Sequence, residues 1–392
     1  MSFDNSSKGY SRKEFLRRLS MGMGGMALLP GFTSLGGRMS DHHEYYYKTW
    51  EGFEPLPDEQ KLGVALVGLG SYANGQLAPA LQKTKFCRLS GIVTGTPEKR
   101  DIWGKKYGIP ESNMYNYENY DRIADNDDID IIYVVLPNAM HAEYTIRAAE
   151  AGKHVICEKP MATSVADAEE MVEACRSAGV KLSVGYRLHF TPHHQEIMRI
   201  GQEEPYGSVT DINGGFAFNL TNPNRWRIDK QMAGGGPLMD VGVYAIQAAL
   251  YTMGERPVSV VAETPEKTRP DFFDEVEETI HWTFEFPGGI QAKGESSYAQ
   301  GYNYHHVNTA EGFGHIEPAY GYGGLQGKTH NGPMNLPNVE QQTLQMDAFA
   351  DCVRNDRESR VPGEMGLRDV RLLMAIYESA ETGNKIEFDW QG

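Results

Sequence analysis

Apolar positions fall into two regimes along the chain. From Lys61 to about Arg187, short and nearly continuous apolar runs alternate with stretches in which apolar residues return at helical spacing. Runs of the first kind suit strands buried on both faces, and stretches of the second kind suit amphipathic helices. The pattern predicts strands near 62–67, 88–94, 130–136, 153–157 and 180–185, separated by helices over 74–84, 97–107, 141–151 and 165–178. Such alternation implies a parallel sheet covered on both faces, with ligands at the carboxyl ends of its strands. After Arg187 the period changes. Helices near 192–201 and 238–253 give way to strands at 208–218, 258–264, 275–286, 289–299 and 302–310, and helices over 339–355 and 365–382 close the chain. Phe286-Pro287-Gly288-Gly289, between two alternating runs, signals a hairpin. This half reads as an open, mostly antiparallel sheet with helices on one face, the other face being covered by the first half or by another subunit. Apart from the 302–310 strand, the Gly- and Tyr-rich segment Tyr298 to Gly332 reads as loops.

The first strand runs straight into Gly68-Leu69-Gly70-Ser71-Tyr72-Ala73, a G-x-G-x-x-A turn opening a helix. Gly68 can make the turn, Gly70 lets a pyrophosphate approach the backbone, and small Ala73 lets the helix pack close to the strand. The free N–H groups at the helix start favour an anion. These features predict an α/β Rossmann dinucleotide-binding domain followed by an α+β domain. The end of the second strand should select the cofactor. Thr94-Gly95-Thr96-Pro97-Glu98-Lys99-Arg100 offers hydroxyls and cations where an NAD enzyme would place a carboxylate on the ribose 2′-OH. Thr94 can donate to a 2′-phosphate and Lys99 or Arg100 can neutralise it, so NADP is preferred over NAD.

With 392 residues the chain is too long for one core and suits two domains after a leader is set aside. The assignment is 1–40 as an export signal, 41–60 as an extended arm, 61–187 as the dinucleotide domain, and 188–392 as an α+β domain for substrate and oligomerisation, with its last helices packing back on the first domain. A formal charge of −16 argues against nucleic acid or an anionic membrane as partner. Cys87, Cys157, Cys175 and Cys352 show no metal-ligand spacing and read as buried thiols. Ser11-Arg12-Lys13-Glu14-Phe15-Leu16 before a weakly apolar run resembles a twin-arginine export signal with Arg-Lys in place of Arg-Arg, which places the chain in the periplasm, or otherwise in the cytoplasm. Beyond it no apolar run is long enough to span a bilayer. The arm, with Tyr45-Tyr46-Tyr47, Trp50 and Phe53, would be costly to leave in water and could lie on a domain or a neighbouring subunit.

Two clusters carry candidate chemistry. Glu158-Lys159-Pro160 falls at the end of a buried strand, where the Lys head group can reach the cofactor crevice. Gly234-Gly235-Gly236 leads into a helix on which Asp240 and Tyr244, four residues apart, share a face. A Tyr hydroxyl beside a Lys ammonium makes an acid–base pair.

The order GLGSYA, LPNAMH, CEKPMA, GYRLHF, WR and GGGPLMDVGVY resembles the Gfo/Idh/MocA oxidoreductases over about Lys61 to Trp390, and is most similar to the glucose–fructose oxidoreductase branch through Thr94-Gly95-Thr96 with Lys99, and through Tyr244. The resemblance implies Gly68, Gly70, Ser71 and Tyr72 at the pyrophosphate and Thr94 and Lys99 at the 2′-phosphate. Leu136, Pro137, Asn138 and His141 would line the ribose and nicotinamide side, with Glu158 and Lys159 near the nicotinamide ribose and substrate. Asp240 would orient a sugar and Tyr244 would give and take its proton. Many members have His where Tyr244 stands. Arg187, Trp226 and Arg227 are further candidates for cofactor or sugar contacts. The activity implied is an NADP-dependent sugar oxidoreductase, of glucose–fructose type with retained cofactor. A freely exchanging NAD(P)-dependent sugar dehydrogenase, an NAD-dependent glycoside hydrolase and a binding protein without turnover are the other readings.

Overall fold

The computed structural model describes residues 54–221 and 225–390, so the expected export signal and all but the end of the expected arm lie outside the described residues. Two sheets organise the rest. The first consists of β1 (Leu62–Val67), β2 (Cys87–Val93), β3 (Met114–Tyr115), β4 (Ile131–Val134), β5 (His154–Cys157) and β6 (Leu182–Val184), all parallel, in the order β3-β2-β1-β4-β5-β6. β1 is buried from Gly63 to Val67 and β4 throughout, as strands covered on both faces must be. The strand order reverses between β1 and β4, so the crevice outside their carboxyl ends is the place for a ligand.

Local chemistry sets the helix limits. The helix after β1 begins with a π-helical turn, Ala73–Leu77, before α1 (Ala78–Leu81), and so ends earlier than the spacing predicts. The chain then turns tightly enough to bring Thr84 Oγ1 within 2.8 and 2.6 Å of the carbonyls of Leu81 and Cys87, so that its single proton serves one of the two. α2 (Pro97–Tyr107) has Pro97 at its first position, where no N–H is needed, and left-handed Gly108 (φ 68°) after its last. α3 (His141–Glu150) follows β4, and α4 (Val165–Ser177) starts where Ser164 Oγ accepts the Asp167 amide at 3.1 Å.

α5 (Pro192–Glu203) leads into the second sheet. That sheet holds β7 (Val209–Ala217), β8 (Ser259–Glu263), β9 (Thr279–Glu285), β10 (Gln291–Ser297), β11 (Tyr302–Thr309), β12 (Gly312–Ile316), β13 (Gly327–Thr329), β14 (Gly332–Pro333) and β15 (Ile386–Glu387). Its order is β14-β13-β12-β11-β7-β10-β9-β8-β15, antiparallel except for the parallel β7–β10 pair. The Phe286 to Gly289 hairpin forms between β9 and β10, with Gly288 and Gly289 at positive φ. The Tyr298 to Gly332 segment, expected as loops beyond its first strand, instead adds β12, β13 and the start of β14. Their short, Gly-interrupted sequences have no clear period, and successive pairing outward from β11, β12 on β11, β13 on β12 and β14 on β13, is what makes them strands.

Short helices α6 (Arg225–Ile228) and α7 (Lys230–Ala233) precede a second π-helical turn, Leu238–Gly242, which continues as α8 (Val243–Met253). α8 packs on β7, and the main core lies beneath it, with Ile212, Ile246, Trp282, Phe284 and Val307 buried. α9 (Gln341–Arg354) packs against α1 and β2, and α10 (Gly363–Thr382) against α4 and β8, so the last helices touch both sheets. The opposite face of the second sheet carries half-buried Tyr302, Tyr304 and His306. Cys87, Cys157 and Cys175 are buried free thiols and Cys352 is half-buried. Among the described residues, no helix is long and apolar enough to cross a membrane.

Candidate active site

The turn after β1 shows why two of its residues are glycine. Gly68 has φ +95°, and a Cβ there would lie 2.4 Å from the Val135 carbonyl oxygen and 2.8 Å from Leu136 Cδ2. At Gly70 a Cβ would meet nothing within 4 Å, because it would project into an open cavity. That cavity, of about 660 Å³, is lined at this end by Gly68, Gly70, Ser71 and Tyr72, and at the end of β2 by Thr94, Gly95, Thr96 and Lys99. Lys99 Nζ donates to the Leu69 carbonyl at 3.0 Å, which holds the cation against the glycine turn. Thr94 Oγ1 accepts the Thr96 amide at 3.2 Å, and no carboxylate lies among the described lining residues of this end. An exposed glycine backbone, a helix start, two hydroxyls and a fixed ammonium fit a dinucleotide carrying a 2′-phosphate.

The same cavity continues along the ends of β4 and β5, past Leu136, Pro137, Asn138, His141, Glu158 and Lys159. Asn138 Nδ2 donates to the Ala233 carbonyl at 2.8 Å, tying this loop to α7. His141 lies 2.9 Å from the carbonyl of Pro160 through Nδ1 and 2.9 Å from that of Leu136 through Nε2. Burial holds its ring below the ordinary histidine range, and a neutral imidazole donates to only one of the two. His141 thus lines the cavity with both nitrogens already facing protein carbonyls, and it fastens the β4 loop to the β5 loop. Glu158 is buried too. Burial pushes its carboxyl up, against the opposing pull of the Tyr133 hydroxyl, which donates to Oε1 at 2.7 Å.

Lys159, in a cis peptide with Pro160, extends to the helix that bears Asp240 and Tyr244. Its Nζ lies 2.5 Å from the Asp240 carbonyl oxygen, 3.7 Å from Asp240 Oδ1 and 4.6 Å from the Tyr244 ring centroid. Asp240 Oδ2 also accepts from Arg227 Nε at 2.9 Å and from the Tyr298 hydroxyl at 3.0 Å. Burial pushes the Asp240 carboxyl up, but the Arg227 guanidinium and the Lys159 ammonium outweigh it and hold the carboxyl below its usual range. Trp226 also lines the cavity, and the Arg227 guanidinium stands 4.5 Å over its ring.

The loop ahead of Asp240 is fixed by Glu277, whose carboxylate accepts the amides of Gly236 and Leu238 at 2.9 and 3.1 Å and the Tyr377 hydroxyl at 2.9 Å. A Cβ on Gly235 would sit 1.9 Å from that hydroxyl, and one on Gly236 2.4 Å from the Glu277 carbonyl oxygen. These two glycines therefore serve close packing rather than a ligand.

Arg187 does not line the dinucleotide cavity. It borders a second cavity of about 440 Å³, with Phe216, Phe218, Leu220, Tyr320 and Tyr322. Only 2% exposed, Arg187 donates to the carbonyls of Tyr320 and Gly321 and to Gln341 Oε1, and stands 4.8 Å from the Tyr244 ring centroid. Lys159, Arg227, Asp240, Tyr244 and Tyr322 line both cavities, so the residues expected to carry chemistry stand where the two chambers meet. Tyr298, Tyr320, Tyr322 and the apolar wall of Phe216, Phe218 and Leu220 went unrecognised in the sequence. The density of tyrosine after Tyr298 is the only trace they leave there.

The profile of the oxidoreductase family with an NAD-binding Rossmann fold matches residues 62–186, that of the GFO/IDH/MocA C-terminal domain residues 194–314, and that of the oxidoreductase-family C-terminal alpha/beta domain residues 329–388. A D-xylose 1-dehydrogenase [NADP(+)] of Haloarcula marismortui is 27% identical over 354 residues, covering 87% of this chain and 97% of the relative. D-xylose 1-dehydrogenase (NADP(+)) 2 of Haloferax volcanii is 30% identical over 337 residues, covering 84% and 98%. Among solved structures, that of aldose-aldose oxidoreductase from Caulobacter crescentus complexed with glycerol is 40% identical with a TM-score of 0.82, over 84% of this chain and 100% of that one. By these matches, and by the glycine turn and two-sheet architecture they accompany, the chain belongs to the GFO/IDH/MocA oxidoreductase family.

Proposed function

We propose that the chain is an NADP-dependent sugar oxidoreductase that moves a hydride between a sugar hydroxyl carbon and nicotinamide. The observation that carries this reading is the junction of the cavity lined by the glycine turn and a smaller, aromatic-walled one at Lys159, Asp240 and Tyr244. Gly68, Gly70, Ser71 and Tyr72 would hold the pyrophosphate, Thr94 and Lys99 the 2′-phosphate, and Leu136, Asn138, His141 and Glu158 would shape the nicotinamide end. Bound NADP supplies the hydride acceptor or donor. The chain supplies position, a sheltered pocket and the proton path. Tyr244 takes the proton of the sugar hydroxyl as the carbon is oxidised and returns it in reduction. Lys159 sets a positive charge beside that ring, and Asp240 holds Lys159 and Arg227 in place. A cavity of about 440 Å³ lies within the range for small-ligand sites and suits one monosaccharide.

Likeness to the aldose-aldose oxidoreductase supports a cycle in which one sugar is oxidised and a second reduced, and a cofactor that stays bound between the two half-reactions would serve such a cycle. Likeness to the two D-xylose dehydrogenases supports free exchange of NADP instead. The Arg12-Lys13 motif supports export to the periplasm, which cell fractionation tests. The half-covered face of the second sheet supports a homo-oligomer, which light scattering tests. The deciding experiment is an absorbance spectrum of purified protein with no cofactor added. A reduced-nicotinamide band that rises with one aldose and falls with a second sugar establishes retention. A band appearing only with added NADP makes the enzyme an exchanging dehydrogenase, and no response to any sugar with NADP present overturns the proposal.

A further inference from the structure

Of the five side chains shared by the two cavities, four bear a charge or the proton that moves, and Tyr322 does neither. It is 50% exposed, and among the large apolar side chains of the described residues only Ile102 is more so. The backbone just ahead of it, Ala319 to Gly321, is nevertheless pinned. Arg187 NH1 and Gln341 Nε2 each donate to the Gly321 carbonyl at 3.0 Å, and Arg187 NH2 to that of Tyr320 at 2.6 Å. Asn303 Oδ1 accepts the amides of Ala319 and Tyr320 at 2.8 and 2.7 Å. The Tyr322 ring stacks on Tyr72, with centroids 5.7 Å apart and planes 29° apart, and the Arg187 guanidinium stands 4.5 Å from its centroid. Tyr72 belongs to the glycine turn after β1, whereas Tyr322 comes from the loop between β12 and β13. The stack therefore bridges the crevice from one sheet to the other where the two chambers join.

We infer that Tyr322, through its stack on Tyr72, controls release of the dinucleotide and so sets how long the protein holds its cofactor. This rests on the NADP reading above. A dinucleotide reaching from Gly70 to Lys159 passes Tyr72, so its departure needs the stack to part or the Tyr72 ring to swing. An aromatic pair contributes about 0.5–1.5 kcal/mol beyond its buried area, which corresponds to roughly two- to tenfold in a rate limited by breaking it. Because the loop is held through backbone carbonyls and amides, truncating the Tyr322 ring leaves those bonds in place.

The test is stopped-flow release of NADPH from loaded protein, read by nicotinamide fluorescence during a chase with excess NADP. It is paired with the nucleotide content of each variant after gel filtration. Tyr322→Ala and Tyr322→Leu are expected to release up to about tenfold faster and to lose nucleotide on the column, and Tyr322→Phe to behave as the parent. Tyr322→Leu keeps apolar bulk, so agreement between it and Tyr322→Ala excludes a simple packing defect. Parental release in both variants overturns the inference, and a change confined to the KM for sugar assigns Tyr322 to the sugar wall alone. Failure of the parent itself to bind NADPH refutes the dinucleotide reading, a result distinguishable from parental release in the variants.

Discussion

Gly68 and Gly70 lie two residues apart in one turn, and the structure demands glycine at each for a different reason. Gly68→Ala places a methyl 2.4 Å from a backbone oxygen at a residue with φ +95°. The left-handed penalty of about 1–2 kcal/mol and an overpacking cost of about 1–3 kcal/mol give a loss of roughly 2–5 kcal/mol in folding stability. Gly70→Ala adds a methyl with nothing within 4 Å and no positive φ to strain. Its folding stability should be unchanged or up to about 1 kcal/mol higher, since alanine restricts the unfolded chain. The same methyl would occupy the space into which a pyrophosphate must come. An overpacking cost of about 1–3 kcal/mol there weakens NADPH binding about 5- to 150-fold. Urea unfolding without cofactor and fluorescence titration with NADPH separate the two effects. Gly70→Ala with parental NADPH affinity refutes the phosphate cradle, and Gly68→Ala with parental stability refutes the steric account of the turn.

Other perturbations probe separate parts of the site. Lys99→Glu replaces the cation fixed on the Leu69 carbonyl by an anion, and should weaken NADP by about tenfold or more while barely affecting NAD; equal losses in calorimetric titration would remove the 2′-phosphate assignment. Lys159→Ala should lower sugar-dependent turnover by about 10²- to 10⁴-fold with nucleotide still bound, and unchanged turnover would remove Lys159 from the chemistry. Burial pushes the Asp347 carboxyl up to about 6, although the amides of Lys85 and Phe86 donate to it and favour its ionised form. A folded value above the unfolded one of about 3.9 means that the folded state binds the proton more tightly, so this contribution is full below about pH 4 and is lost as pH rises through about 6. Asp347→Asn should therefore gain stability relative to the parent between pH 4.5 and pH 7, by about 2 kcal/mol in urea unfolding, and a flat difference would contradict the shift.

Much of the dinucleotide side was legible because its determinants are close in sequence. Gly68, Gly70, Ser71 and Tyr72 line the cavity from one turn, and Thr94 and Lys99 from the end of the next strand and the start of its helix. A buried parallel strand fixes where its carboxyl end falls, so a motif at that end is placed by the strand alone. Glu158 and Lys159 follow β5 in this way, as Asn138 and His141 follow β4. His141 lines the cavity as its place after β4 implies, but the approach of its ring to two loop carbonyls depends on how β4 and β5 stand side by side.

The sequence by itself determined the elements whose cause is local: the strands buried on both faces, the α2 boundaries set by Pro97 and Gly108, the hairpin at Gly288 and Gly289, and the glycine turn. Tertiary structure decided whatever depends on partners distant in the chain. β7 and β10 lie parallel although some seventy residues separate them, and β12 becomes a strand on the edge of β11 and β13 on the edge of β12. Glu277 shapes the loop before Asp240 from 41 residues away, Tyr298 reaches Asp240 across 58, and Arg187 grips the Tyr320–Gly321 backbone across more than 130. Hydrophobic period records which face of an element is covered, but it does not record which element covers it. The wall of the second cavity is assembled almost wholly from contacts of that second kind, and so it became visible only in the fold.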